Sequence, residues 1–432
     1  MHSANIIKTI DYARRNGLTA TIAAVRERLS DEKQPYVYEA PSPEELDRQR
    51  TEMHPAVSAG EAPRISVVVP CYRTPPDYLR QMRASVEEQS FENVELILTE
   101  EPGGISENTN AGIARASGEY IGLLDHDDLL APDALYHVAR AIQDAGEKGI
   151  RPVLVYTDED KFTEEAPGSG RHFFAPNRKP DYNYDYLLSN NYICHFAVIE
   201  AETLKRLKLR KAYDGAQDHD LFLRLTADTE KRGLKPEEVF LHVPRVLYHW
   251  RSHAESTAES GANKSWAHDA GKRAVMAHLR DRGINAAVEE MPHRGFLRVH
   301  YFDDLFSARP DIGAVGGKLI DRRGRMIGGL YTEDGGILFD GLPAGFSGGF
   351  THRAACAQDA GAVDLAQMTI RPELLRELSQ DPRMEEWKPW LFSARTDFGD
   401  RRDRVSKSAA LCREIRRRGY RILWDPLWIR RI

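Results

Sequence analysis

Apolar residues come in short unbroken runs along the first part of the chain, each stopped by a proline or by acids. ISVVVP (65–70), VELIL (94–98), YIGLL (120–124) and VLVYTDED (153–160) are runs of this kind. Between them the spacing changes to that of one helix face, in YLRQMRASVEEQ (78–89), NAGIARA (110–116) and PDALYHVARAIQDA (132–145). Continuous apolar strands alternating with amphipathic helices predict an α/β fold, a mostly parallel sheet flanked by helices. Ligands of such sheets bind beyond the carboxyl ends of the strands. Pro70, Glu100, Asp125 and Asp158 stand at those ends, which predicts one shared crevice.

The flanks read differently. Residues 4–30 place Ile6, Ile7, Ile10, Ile22, Val25 and Leu29 at helical spacing on either side of Gly17. Residues 31–63 are polar, carry Pro35, Pro41, Pro43, Pro55 and Pro63, and read as a linker. A helix over 262–284 closes the central unit. Beyond about 286 a second unit holds IGAVGGKLI (312–320), a glycine-rich middle (328–349), a helix at 371–378 and a helix–strand pair, CREIRRRGYRILW (412–424). The expected division is 1–60, 61–285 and 286–432.

A chain of 432 residues is too long for one ordinary core, in keeping with that division. The formal net charge of −6 gives no electrostatic case for a nucleic-acid partner. Residues 401–432 nevertheless carry eleven Lys/Arg against three Asp/Glu, a solvated face or one turned to anionic lipid. Cys71, Cys194, Cys356 and Cys412 form no CxxC pair, which fits a reducing compartment and argues against a disulfide framework or a zinc site. No apolar run approaches the ~20 residues that span a bilayer, and the N-terminus lacks a signal-peptide core. A cytoplasmic location is expected. The 4–30 segment and the basic tail allow peripheral contact at the inner face of the plasma membrane.

Four stretches could carry chemistry. Asp125-His126-Asp127-Asp128 ends an apolar strand; clustered carboxylates are costly without a cation, and their oxygens suit Mg²⁺ or Mn²⁺. The plain alternative is a cap for the helix that follows. In YDGAQDHDLFLRL (213–225), Asp218 either caps a helix or serves as a general base. In HVPRVLYHWRSHAESTA (242–258), His249 and His253 could complete a metal shell and Arg251 could meet a diphosphate. GGISENTNAGI (103–113) sets Asn110 and two glycines before a helix, an anion site or a turn. GxxxxGK[ST] and HExxH are both missing, which argues against a P-loop hydrolase and a zincin.

Taken together, these stretches resemble the family 2 glycosyltransferases, inverting enzymes of the GT-A fold, and among them the tandem, rhamnosyltransferase-like members that build bacterial cell-surface polysaccharide. The resemblance is carried by ISVVVPCYRTPPDYL, GGISENTNAGIARASGEYIGLLDHDDLLAPDALY, VYTDEDK, NNYICHFAVI, DGAQDHDLFLRL and PRVLYHWRSHAESTA, in order over 65–258. It implies a metal-dependent transfer of sugar from a nucleotide-diphosphate donor to a hydroxyl of a glycan or lipid-linked glycan. Pro70 and Tyr72 would meet the base, Asp125 the ribose, and Asp127 the Mg²⁺ or Mn²⁺. Asp218 would be the catalytic base, and His249 or His253 would approach the metal. Asn110 and Arg251 would join the donor side, and Asp158, Glu159 and Gln217 the acceptor side.

The resemblance departs at two places. VELILTEEPGG passes straight to the Asn-rich turn where the family inserts a further helix and strand, so that Glu100 stands in for its base-reading aspartate. Residues 305–432 resemble the C-terminal half of a second such domain, with Ser406, Lys407 and Ser408 near the point where an acidic pair is expected. That module is expected to be non-catalytic. The alternative for the whole chain is a catalytically silent scaffold or a sugar- or nucleotide-binding subunit.

Overall fold

The computed structural model describes residues 36–164, 169–252, 261–388 and 400–432, with isolated positions between 10 and 25. Two compact units divide the chain. One comprises 34–182 and 191–278; the other comprises 183–190 and 279–432, with the first 33 residues assigned to it.

The first unit is built on β1 (Ile65–Pro70), β2 (Val94–Thr99), β3 (Tyr120–Leu123), β4 (Leu129–Leu130), β5 (Leu154–Glu164), β6 (Arg171–Asn177), β7 (Ala197–Glu200) and β8 (Phe240–Arg251). Their order is β2-β1-β3-β7-β5-β8-β4, with β6 paired to β5. β2, β1 and β3 are parallel, as are β5 and β8, while β7 runs antiparallel between β3 and β5. The α/β class with a parallel-rich sheet is therefore as expected, but the antiparallel β7 was not foreseen. Its run AVIE is too short to declare a direction in sequence.

All six residues of β1 are buried, because helices cover both faces of the sheet. Two glycines permit close approach: a Cβ on Gly112 would meet Val68 at 2.4 Å, and one on Gly122 would meet the Phe196 ring at 2.6 Å. The supposed linker needs correction. Pro43–Ala59 is a 17-residue helix, with Ser42 accepting from the Glu45 amide and Pro43 in the first turn, where no N–H is required. It buries Gln49 and Met53, and Gln49 Oε1 accepts from Ser90 Oγ at 2.6 Å. Three prolines at its ends and one inside it, Pro55, disguised it. The predicted helices of 4–30 otherwise lie outside the described residues.

The second unit pairs Ile312–Ile320 in parallel with Arg421–Arg431, the strand entered from the helix Arg401–Arg417. Much of the basic tail is spent inside this unit. Arg404 is buried and pairs with Asp364 at 3.0 Å, and Arg418 pairs with Asp381 at 2.6 Å and Glu414 at 3.1 Å. Among the described residues, no helix is long and apolar enough to cross a membrane.

Candidate active site at the edge of the first sheet

Asp125, Glu159 and His195 meet at one edge of the first sheet, although they come from three different strands. The direction of β7 explains this. Running against its neighbours, it puts its start, not its end, where β3 and β5 finish, so His195 enters the crevice just before Ala197. The bonds Cys194–His195 and His195–Phe196 are both cis. Lys179, fully withdrawn from solvent, donates to the carbonyls of Ile193 (3.1 Å) and His195, and lies 3.7 Å from Glu159.

His195 is the electrostatic centre. Its Nδ1 lies 3.1 Å from Glu159 Oε2, its backbone N–H donates to the same oxygen at 2.5 Å, and its Nε2 is 3.7 Å from Asp125 Oδ2. Burial works against its charge, but the Glu159 bond and the charges of Glu159 and Asp125 overcome it and lift the imidazole to about 9. Burial would likewise raise Glu159, yet Lys179 and His195 hold its carboxyl at about 2. The His195 ring stacks on Tyr248 at 4.9 Å and lies against Trp250 at 5.6 Å.

The acidic turn has two kinds of member. Asp128 is buried, accepting from Tyr248 Oη and, at 2.7 Å, from the Arg251 amide. Burial, then the charges of Asp127 and Asp125, push its carboxyl well above the ordinary range. Asp125 and Asp127 are only partly covered, and the Asp125 side chain keeps 46% exposure. Two hard, accessible carboxylates one residue apart fit Mg²⁺ or Mn²⁺, and Asp128 is already spent on the fold.

Asp218 opens the helix Gln217–Lys231, where the positive end of the dipole favours an anion. Its Oδ2 is 2.6 Å from Cys194 Sγ, and its Oδ1 accepts from the His219 amide at 2.9 Å. Gln217 instead turns back to accept from Gly215 N–H at 2.7 Å. Pro70 ends β1, and Tyr72, 66% exposed, follows it; Glu100 is exposed just past β2. The clamp between these ends is Asn108, read from sequence as part of an anion site or a turn, which donates to Cys71 O at 3.0 Å and accepts from Glu101 N–H at 2.8 Å.

Several expected residues are placed elsewhere. Asn110 sits inside the helix Ile105–Arg115, which begins earlier than its sequence suggested, and makes a two-way bridge to the Leu209 backbone at 2.8 and 2.9 Å. Asp158 is a buried tie between His242 (2.8 Å) and Lys179 N–H (2.9 Å). Alternation along β8 sends Tyr248 and Trp250 to the His195 face and His249 and Arg251 to the other. His249 bonds Asp160 at 2.6 Å between the rings of Tyr38 and Phe173. Arg251 holds Asp127 O (2.6 Å), Glu164 (2.9 Å) and Gln81 (2.7 Å), so its guanidinium braces the acidic turn from behind. His253 lies outside the described residues. Cys194, His195, Lys179 and Tyr248 were missed; the signal was the Cys-His pair heading the apolar run ICHFAVI.

Residues 92–208, which contain the acidic turn and His195, match the family model for glycosyl transferase family 2. The chain carries a family 2 glycosyltransferase domain. Over 249 residues it is 35% identical to the O-antigen biosynthesis protein RfbC of Myxococcus xanthus, covering 55% of this chain and 18% of that protein. Over 246 residues it is 36% identical to the uncharacterized protein y4gI of Sinorhizobium fredii, covering 50% and 25%. The chain thus spans a quarter or less of the length of these curated relatives. Among solved structures, TarS 1–349 of S. aureus in complex with UDP-GlcNAc is similar at 12% identity and a TM-score of 0.36, covering 50% of this chain and 66% of that one. The groups that meet around His195 come from inside the matched segment (Asp125, Glu159, Lys179), from Asp218 just beyond it, and from Tyr248 and Trp250 of β8.

Proposed function

We propose that this protein is an inverting glycosyltransferase of cell-surface polysaccharide synthesis, moving sugar from a nucleotide-diphosphate donor to a hydroxyl of a glycan or lipid-linked glycan. The observation that carries the reading is the meeting of the acidic turn and Asp218 at His195, on the sheet edge of a family 2 domain. The name of RfbC supports the polysaccharide context.

On this reading Asp218 takes the proton of the acceptor hydroxyl. The acceptor oxygen then forms the new bond to the anomeric carbon as the bond to the nucleoside diphosphate breaks on the opposite face. Asp125 and Asp127 would hold Mg²⁺ or Mn²⁺, whose charge offsets that developing on the leaving diphosphate. Pro70, Tyr72 and Glu100 form the base side. Arg251 and Asp128 act as positioning residues for the turn, and Glu159 for His195. A cytoplasmic site of action, with peripheral contact at the membrane that holds a lipid-linked acceptor, goes with this reading.

The test is calorimetric titration of UDP, dTDP and GDP, with and without Mn²⁺, into the wild type and Asp127→Ala, followed by a transfer assay of Asp218→Asn. Metal-dependent binding of one nucleotide, lost in Asp127→Ala, is expected, as is loss of transfer in Asp218→Asn with folding intact. One observation favours a silent, binding or scaffolding reading instead. β2 is the edge strand and is followed within five residues by the helix Ile105–Arg115, which leaves a short wall for a nucleotide. Failure of all three nucleotides to bind would select that reading.

A further inference from the structure

The spacing of the cysteines argued against a zinc site, but the fold brings Cys194 to a place where spacing in sequence is irrelevant. Cys194, His195 and Asp218 each present a ligand atom, and the three atoms lie within 4.8 Å of one another. The donors come from the start of β7 and from the head of the helix Gln217–Lys231. Their chemistry differs from that of Asp125 and Asp127. A thiolate, an imidazole and one carboxylate form a soft to borderline set that selects Zn²⁺ or Co²⁺ over Mg²⁺.

The surroundings are those of a built ligand set. Glu159 occupies Nδ1 of His195, which leaves Nε2 as the ligating atom, the carboxylate–histidine support usual behind a zinc ligand. Lys179 fixes the backbone carbonyls on either side of Cys194. Asn191 Nδ2 donates to Cys194 Sγ at 3.4 Å. Three protein donors at a crevice leave a fourth tetrahedral position for water or substrate oxygen.

We propose that Cys194, His195 and Asp218 form a second metal site, selective for Zn²⁺-like ions and adjoining the hard-ion carboxylates of the acidic turn, with Asp125 Oδ2 3.7 Å from His195 Nε2. Binding displaces the thiol proton of Cys194 and the Nε2 proton of the His195 imidazolium to solvent, so one metal ion is exchanged for two protons and no electron is transferred. On the reading of Asp218 as the base, an ion held here occupies the carboxylate that the acceptor needs, and Zn²⁺ becomes an inhibitor of transfer.

The test uses Co²⁺ as a coloured substitute, titrated into the metal-stripped full chain. The expected result is a thiolate-to-cobalt charge-transfer band with visible bands of tetrahedral intensity. The band is discharged by Zn²⁺ but not by Mg²⁺, and is lost in Cys194→Ser. Glu159→Gln should keep the band but weaken Co²⁺ binding by about 10–100-fold, as loss of the support behind a ligand does. As a check that needs no variant, Zn²⁺ and not Mg²⁺ should protect Cys194 of the wild type from alkylation, mapped by mass spectrometry. An octahedral spectrum without a charge-transfer band, a band that persists in folded Cys194→Ser, or alkylation of Cys194 unaffected by Zn²⁺ would each overturn the site. The readout does not pass through activity: a band without transfer leaves the metal site standing and sinks the transferase reading, and transfer without a band does the reverse.

Discussion

Lys318 shows how much one buried charge can cost. It lies in the strand Ile312–Ile320, buried, with Nζ donating to Ala344 O at 2.8 Å. Burial, then the nearby charge of Arg298, lowers its ammonium from 10.5 to about 8. That displacement corresponds to about 3 kcal/mol of penalty on the charged form. Between pH 8 and 10.5 the unfolded chain holds a proton on this lysine that the folded chain has released, so stability rises with pH across that window. Below pH 8 both forms are protonated and the penalty is present in full. Lys318→Met should therefore raise stability near pH 7 by up to about 3 kcal/mol, less the cost of the orphaned Ala344 carbonyl. It should also flatten the rise from pH 8 to 10.5. Urea unfolding midpoints at pH 7 and pH 10 check this, and an unchanged difference between the two pH values in the variant would refute it.

At the scale of elements, the acidic turn depends on β8. Arg251 and Glu164 face each other with side-chain exposures of 3% and 4%, and the same guanidinium lies over Tyr78 at 4.2 Å and Phe162 at 4.5 Å. Arg251→Ala leaves Glu164 paired with Arg171 at 2.7 Å but removes the donor to Asp127 O and Gln81, and should cost about 1–3 kcal/mol. Arg251→Lys should recover less than half of that, because an ammonium cannot hold Glu164, Gln81 and Asp127 O together. Denaturant unfolding at constant m reads both. The same register explains what was legible in sequence. β1, β2, β3 and β5 announced themselves by apolar runs ending in prolines or acids, and the acidic turn followed directly from β3. His249 and Arg251 were chosen for their chemistry, but a strand alternates its faces, and only the paired partners reveal which face looks into the crevice. His195 escaped because a strand's direction is fixed by its neighbours, so a ligand-bearing start could not be told from an ordinary one. The helix Pro43–Ala59 escaped because Pro55 within it and the prolines around its ends read as helix breakers, although Pro43 sits in the first turn, where a helix tolerates it.

At the scale of the whole molecule, the two units share a wiring. In the first, β5 is parallel to β8 and antiparallel to β7, with Leu154 opposite Ile199. In the second, Ile312–Ile320 is parallel to Arg421–Arg431 and antiparallel to Thr369–Ile370, with Ala314 opposite Ile370. Counting back five residues from Ile199 and from Ile370 sets Cys194 against Leu365, and four residues sets His195 against Ala366. Counting forward five from Leu154 and Ala314 sets Glu159 against Leu319. The Leu365 amide donates to Ser408 Oγ at 3.0 Å, in the place where Cys194 meets Asp218. His195, Glu159 and Asp218 thus have the uncharged counterparts Ala366, Leu319 and Ser408 in the second unit, and on that ground we propose that the module is non-catalytic. Ser408 is fully buried and also donates to Arg404 O at 2.7 Å, so its role there is to satisfy the backbone. Ser408→Ala should lower stability by about 1–3 kcal/mol, the cost of a buried N–H left without an acceptor, while donor binding and transfer persist. Asp218→Asn should do the opposite, keeping the unfolding midpoint within about 1 kcal/mol while transfer disappears. Measured side by side, a Ser408→Ala protein that stays folded yet loses transfer as fully as Asp218→Asn would place catalytic work in the second unit and break the argument from its uncharged counterparts.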